Sequence, residues 1–205
     1  MKIAVIDSGI NGHIFKDCNI IQYNIMAGVV TEEYANDKAG HGTSMLGIIL
    51  RHQDKPAIVF SLRPVICDGA IDNKDIALAI KYAVDKGADI ISVSMGTDQL
   101  KERECIENAC EYAYENGVLV VCAFSKRRDV VLPWACKYVI KVMHGGERKY
   151  PIQLKKVYFN SYMICVNLPM YRTIDINGTR KMITGHSAAT AYIVGELVRY
   201  MKKYL

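Results

Sequence analysis

Three polar side chains stand where apolar segments of the chain begin or end. Asp7 ends the apolar run KIAVID and is followed by Ser-Gly. His41 lies between two glycines at the start of the helical pattern AGHGTSMLGIILRH (39–52), and Ser187 opens a second helical pattern within ITGHSAATA (183–191). A carboxylate, an imidazole and a hydroxyl are the three groups that nucleophilic serine chemistry requires.

Each group has a defined part in that chemistry. The serine hydroxyl needs an imidazole to accept its proton, and the imidazole needs a carboxylate that orients it and stabilises its charged form. A serine at a helix start also presents its own backbone N–H to an oxyanion. Taken singly, Ser187 is explained as a helix cap, Asp7 as part of a turn and His41 as a structural residue. The three together favour a catalytic site.

The elements that must position these residues alternate between apolar strands and amphipathic helices. Runs that are apolar on both faces suit a parallel sheet covered on both sides, and they predict strands over 2–7, 57–66, 88–95, 117–124 and 137–143. Helical patterns occupy 72–87 and 100–117, each ending at a glycine. The alternation predicts one α/β domain over residues 1–205, built as a doubly wound, mainly parallel sheet flanked by helices.

The part of the chain from 144 to 182 is different in character. It is rich in turn residues and predicts short strands and hairpins that precede the last helix. In an open parallel sheet the loops at the carboxyl ends of the strands carry the functional groups. Asp7 falls at such an end.

Composition limits the kind of partner. The formal net charge of +5 is modest and does not argue for nucleic acid, and no apolar run reaches the roughly 20 residues that span a bilayer. The seven cysteines include no C-x-x-C pair, so neither a disulfide framework nor a zinc knuckle is expected. No cofactor or metal motif is found. We expect a cytoplasmic protein.

Three segments in order resemble the signature segments of the subtilisin-like serine protease family. They read VIDSGINGHIF, GHGTSMLGII and TGHSAATAYIVG, and the family order is acid, histidine, serine. The resemblance implies Asp7 as the orienting acid, His41 as the general base and Ser187 as the nucleophile. It also implies a peptide or protein substrate bound as an extended strand, with contacts from Ser94, Met95, Gly96, Ala123 and Phe124.

The sequence departs from the family pattern at the oxyanion site. The family places Gly-Asn where Ser125 and Lys126 stand here, and that asparagine donates to the oxyanion. Lys126, the Ser125 hydroxyl and His186 beside the nucleophile are therefore candidate donors, although Lys126 in solvent and His186 as a space-filling residue are equally open. The run Lys126, Arg127 and Arg128 raises the hypothesis of an acidic substrate residue.

Two functions follow from this comparison. The first is a serine endopeptidase that acts through an acyl-enzyme and processes a specific peptide precursor, with no pro-segment expected before Asp7. The alternative is a pseudoprotease that binds peptides or a partner protein through the same groove, which the altered oxyanion segment motivates. Hydrolysis and transpeptidation are not separated by the sequence, and no oligomeric state is predicted.

Overall fold

The computed structural model describes residues 1–34, 37–51, 58–66, 71–99, 101–125, 131–146, 150–157 and 161–204. Within them lie four helices, α1 His41–Leu50, α2 Asn73–Asp85, α3 Arg103–Glu115 and α4 His186–Tyr204. The strands are β1 Lys2–Ile6, β2 Asn19–Met26, β3 Val29–Glu32, β4 Ile58–Pro64, β5 Ile90–Val93, β6 Leu119–Ala123, β7 Ile140–His144, β8 Ile152–Val157, β9 Ser161–Val166, β10 Tyr171–Ile174 and β11 Arg180–Ile183.

Nine of these strands form one sheet in the order β3-β2-β4-β1-β5-β6-β7-β9-β8. In this order, every neighbouring pair between β2 and β9 is parallel. Antiparallel pairing in this sheet occurs only at its two edges, where β3 pairs with β2 and β8 pairs with β9. The predicted doubly wound, mainly parallel α/β sheet is therefore confirmed. All five predicted strands lie in its interior, because their apolar runs are buried on both faces.

Side chains of the central strands alternate between two cores. Ala4 and Ile6 of β1 pack with α2 and α3 on one face, whereas Ile3 and Val5 pack with α1 and α4 on the other. This alternation is the period-two geometry of a strand. It places α1 and α4, which carry His41 and Ser187, on the same face of the sheet.

Helix α2 lies within its predicted 72–87 pattern, whereas α3 begins at Arg103, inside its 100–117 pattern, and Glu102 makes no side-chain cap. The Asp72 carboxylate caps α2 by accepting from the Lys74 N–H at 2.8 Å. Gly87 and Gly117 follow α2 and α3 with φ of +74° and +72°, a conformation that costs glycine little.

Two strands were not predicted from the sequence. β2 and β3 form an edge hairpin in which polar residues such as Gln22 and Asn24 interrupt the apolar pattern. The prediction of short strands within 144–182 is confirmed by β8–β9 and by the separate two-stranded sheet β10–β11. Among the described residues, no helix is long and apolar enough to cross a membrane.

Candidate active site

Asp7 and His41 are brought together by the end of β1 and the start of α1. Asp7 follows β1 directly, and its backbone N–H still bonds to the Leu62 carbonyl at 3.1 Å. Gly40, with φ +72°, turns the chain into α1 so that His41 is the first residue of the helix. The result is a 2.7 Å contact between His41 Nδ1 and Asp7 Oδ1.

The two partners differ in their access to solvent. The Asp7 side chain is 4% exposed and the His41 side chain is 43% exposed. Asp7 Oδ1 also accepts from the Ser8 N–H at 2.7 Å, whereas the buried Oδ2 has no hydrogen-bond partner among the described residues. A proton on Nδ1 facing the carboxylate leaves Nε2 as the acceptor on the exposed side of the ring. This is the arrangement that a general base requires.

The Asp7 carboxylate raises the pKa of His41 above its ordinary value. The hydrogen bond to Asp7 is the largest cause, and the negative charges of Asp7 and Asp37 act in the same direction. Burial of the ring and the positive charge of Lys181 oppose the rise. Asp7 therefore stabilises the imidazolium that would form when His41 accepts a proton.

A second buried carboxylate, Asp37, organises the loop before α1. It is 1% exposed. Its Oδ1 accepts from the Ser8 hydroxyl and the Gly40 N–H, both at 2.8 Å, and its Oδ2 accepts from the N–H and hydroxyl of Thr43 at 2.9 and 2.7 Å. Both oxygens are thus satisfied by groups on either side of His41. Sequence analysis missed Asp37 because an acid in the polar, glycine-containing loop NDKAGHG reads as a turn residue.

Ser187 stands in the first turn of α4, directly after Gly185 and His186. Gly185 has φ +123°, so the chain enters the helix through a conformation that favours glycine. The Ala189 N–H bonds to the Gly185 carbonyl at 3.0 Å. The N–H groups before it belong to the turn that has no intrahelical acceptors, which leaves the Ser187 N–H available to an anion.

His41 and Ser187 line one cavity of about 320 Å³. The rest of the lining comes from the loop before α1, from the first turns of α1 and α4, and from β11 with the turn that follows it. Among the described residues, no hydrogen bond joins Ser187 to His41. Catalytic hydrogen bonds often tighten only when substrate is bound, so the shared cavity is the feature that relates the two residues here.

The three oxyanion candidates are placed differently. Ser125 comes directly after Phe124, whose N–H donates to the Val142 carbonyl at 2.8 Å, and Lys126 lies outside the described residues, as do Arg127 and Arg128. His186 lines the cavity, and its Nδ1 accepts from the His144 N–H at 3.0 Å. In that tautomer the proton is on Nε2, which makes Nε2 the ring's only donor.

The predicted substrate-binding residues lie at the carboxyl ends of neighbouring strands. Ser94, Met95 and Gly96 follow β5, with the Ser94 N–H bonded to the Ile6 carbonyl at 3.4 Å. Ala123 ends β6. The Phe124 ring packs edge-on against Trp134 at 5.0 Å and His186 at 5.1 Å between centroids, which connects this strand end to α4, the helix that carries Ser187.

The sequence profile of the subtilase family matches residues 1–203. The minor extracellular protease Epr of Bacillus subtilis is 32% identical over 159 residues, which are 72% of this chain and 24% of that protein. This chain therefore spans about a quarter of that relative.

Solved structures share the fold. Sphericase superposes with a TM-score of 0.76 at 20% identity, covering 99% of this chain and 77% of its own. The epidermin leader peptide processing serine protease from Staphylococcus aureus also gives a TM-score of 0.76, at 17% identity, covering 100% of this chain and 66% of its own.

Proposed function

Because the chain belongs to the subtilase family, whose members are serine-type endopeptidases, we propose that it cleaves peptide bonds through an acyl-enzyme on Ser187. One observation carries the proposal. His41, held through Nδ1 by Asp7 at 2.7 Å, lines the same cavity as Ser187. This set of groups meets the requirements of an activated serine nucleophile.

The steps follow from the positions of the groups. His41 Nε2 accepts the Ser187 hydroxyl proton as Oγ bonds to the scissile carbonyl carbon, and Asp7 stabilises the resulting imidazolium. The Ser187 N–H at the start of α4 donates to the oxyanion. His41 then gives its proton to the leaving amine as the C–N bond breaks. Water attacks the acyl-enzyme while His41 takes its proton, and His41 gives that proton to Ser187 Oγ as the ester bond breaks and the acid product leaves.

The substrate we propose is a specific peptide precursor bound as an extended strand along residues 94–96. Main-chain hydrogen bonds give affinity in such strand addition, and side-chain pockets give preference. One structural neighbour is by name a leader peptide processing protease, which supports the proposed class of substrate. The cytoplasmic location stays a prediction.

Labelling with a fluorophosphonate probe tests the nucleophile. The probe phosphonylates a serine only if the residue is activated, so native protein should gain one adduct, located on Ser187 by peptide mass spectrometry. Ser187→Ala should abolish the adduct. Ser92→Ala is the matched control, because Ser92 is a fully buried serine of β5 away from the cavity, and it should label like the native protein.

If native protein shows a cooperative thermal transition but no adduct at Ser187, the endopeptidase proposal fails. The altered segment at Ser125 would then favour a pseudoprotease that binds peptides without cleaving them. If Ser187 is labelled, digestion of a peptide library by native protein, with Ser187→Ala as the blank, would give the cleavage preference.

A further inference from the structure

A second cavity lies between α1 and the β10–β11 hairpin, with a volume of about 590 Å³. Of the described residues that line it, half are cationic and none is acidic. The cations are Arg51, Arg172, Arg180 and Lys181, and the others are Gly47, Thr173, Ile174 and Met182. All four cationic residues are exposed.

The hairpin register gathers two of the arginines. Arg172 pairs with Met182, and Arg180 lies two residues from Met182 on β11. The two arginines are therefore diagonal neighbours on one face, at a Cα separation of about 7–8 Å. Gly47 allows α1 to approach this hairpin, since a Cβ there would lie 2.6 Å from Thr173 Oγ1. This close packing brings Arg51, just after α1, to the same cavity.

No described carboxylate forms an ion pair with this group of cations. The nearby Asp175 carboxylate accepts from the Asn177 and Thr179 N–H groups at 2.8 and 2.9 Å, which hold it in the hairpin turn. These bonds are the main cause that lowers the pKa of Asp175, and the charge of Lys181 adds a smaller effect without an ion pair. Like charges gathered in a concave site focus a positive potential and attract an anionic ligand.

Lys181 connects this basic cavity to the candidate active site, because it lines both cavities. Helix α1 runs between them, with His41 at its start and Arg51 directly after its end. At about 1.5 Å per residue that path is about 15 Å, which an extended peptide covers in about four or five residues. One peptide chain can therefore occupy both sites.

We propose that the basic cavity docks an acidic segment of the peptide substrate, about four or more residues from the bond to be cleaved. The proposal rests on the peptidase function proposed above. A peptide fits better than nucleic acid, because none of the described lining residues has an aromatic ring that could stack on a base. The carboxylates of the segment would pair with the arginines, which suit planar bidentate contacts.

Binding is measured on Ser187→Ala protein, so that no turnover is needed. The probe is a fluorescein-labelled ten-residue peptide containing six glutamates, compared by anisotropy with its glutamine counterpart. Arg172→Glu/Arg180→Glu should weaken binding of the acidic peptide by at least about tenfold, and the glutamine peptide should bind at least about tenfold more weakly than the acidic one. Arg172→Gln/Arg180→Gln should give an intermediate loss.

The control changes the net charge equally on the opposite face of the sheet. Lys81 lies on α2 and Lys101 precedes α3, both exposed, and Lys81→Glu/Lys101→Glu should keep binding within about twofold. Equal losses in the two double variants would overturn the proposal, as would equal binding of the two peptides. Tighter arginine-dependent binding of a single-stranded oligonucleotide would assign the cavity to nucleic acid instead. If the acidic peptide binds through the arginines but native protein gains no fluorophosphonate adduct at Ser187, the peptidase function is refuted and the docking site is not.

Discussion

The Ser8 hydroxyl donates to Asp37 Oδ1 at 2.8 Å while it accepts from the Gly42 N–H at 3.0 Å. Ser8 is the residue after Asp7, and Gly42 is the residue after His41. The hydroxyl therefore ties the segment that carries the acid to the helix that carries the base. The 2.7 Å contact between Asp7 and His41 depends on this tie as well as on the two side chains themselves.

Asp37→Asn should lower both the stability of the protein and the catalytic rate, because Asp37 positions the loop that leads to His41. The asparagine amide cannot accept hydrogen bonds at both ends, so the variant should lose about 1–3 kcal/mol of unfolding free energy. It should also lose catalytic rate, by up to about 100-fold, since a displacement of about 1 Å can cost that much. Thermal unfolding and kcat on a peptide substrate check both effects.

Asp75→Asn is the control for that prediction. Asp75 is a buried carboxylate that accepts from the Ala27 and Gly28 N–H groups at 3.0 and 2.8 Å, on the face of the sheet that α2 covers. A similar loss of stability with unchanged kcat is expected. If Asp37→Asn and Asp75→Asn lower kcat equally, Asp37 has only a structural role.

Asp7→Asn should leave the fold intact and remove most of the activity. The amide would donate to His41 Nδ1 and place the ring proton on Nε2, so that the ring could no longer accept from Ser187. A loss of about 10⁴ in kcat is the expected size for this change in a serine triad. Rates are compared with circular dichroism of the same samples. Activity within tenfold of the native value would contradict the assigned role of Asp7.

Activity and the contribution of His41 to stability should depend on pH in opposite directions. The base must be neutral, so kcat/KM should rise with pH through the raised pKa of His41, with its midpoint above the ordinary value of about 6.5. The folded-state pKa exceeds the unfolded one, so the Asp7–His41 stabilisation is complete below the unfolded value and is lost as pH rises through the folded value.

Two measurements test this pH relation. A pH–rate profile of Asp37→Asn should have a lower midpoint than native protein, because a negative charge that raises the pKa of His41 is removed. In His41→Gln, the thermal unfolding midpoint should no longer contain the pH-dependent stabilisation that the Asp7–His41 contact gives the native protein. A native profile with its midpoint below the ordinary imidazole value would refute the prediction.

Gly42→Ala should disrupt the site through backbone contact. A Cβ at this position would lie 2.2 Å from the Gly9 carbonyl oxygen and 3.1 Å from the Asp7 Cβ. The loop and helix must shift apart, with a loss of about 1–3 kcal/mol of stability and most of the activity. Gly12→Ala is the matched control, because its nearest neighbour would be at 3.7 Å, and it should behave like native protein. An active, equally stable Gly42→Ala would show that the contact relaxes freely.

Two substitutions can decide whether His186 is an oxyanion donor or only fixes the start of α4. Asparagine places an acceptor oxygen near the position of Nδ1, so His186→Asn should keep the bond from the His144 N–H while it removes the Nε2 donor. His186→Ala removes both and should cost about 1–3 kcal/mol of stability. Fluorophosphonate labelling rates of the two variants distinguish the roles. A slow but stable asparagine variant indicates an oxyanion donor, and normal labelling limits His186 to fixing the start of α4.

Much of the framework was predictable because it depends on local patterns. The five central strands are continuous apolar runs. Helix α2 has its Asp72 cap in the sequence itself, and glycines follow both α2 and α3. The β2–β3 hairpin was not predicted, because buried polar residues such as Gln22 and Asn24 interrupt the apolar pattern of β2.

The sequence by itself determined which residue types were available for catalysis, in the order Asp7, His41 and Ser187, and the alternation that makes an α/β sheet. Only the tertiary structure decided which distant groups meet. Loop closure brings Asp37 to the hydroxyls of Ser8 and Thr43, which donate hydrogen bonds to it. Strand register places Arg172 beside Arg180. Ser8 and Asp37 are separated by 29 residues, and the two arginines meet through the register of a hairpin, so no local periodicity encodes these contacts.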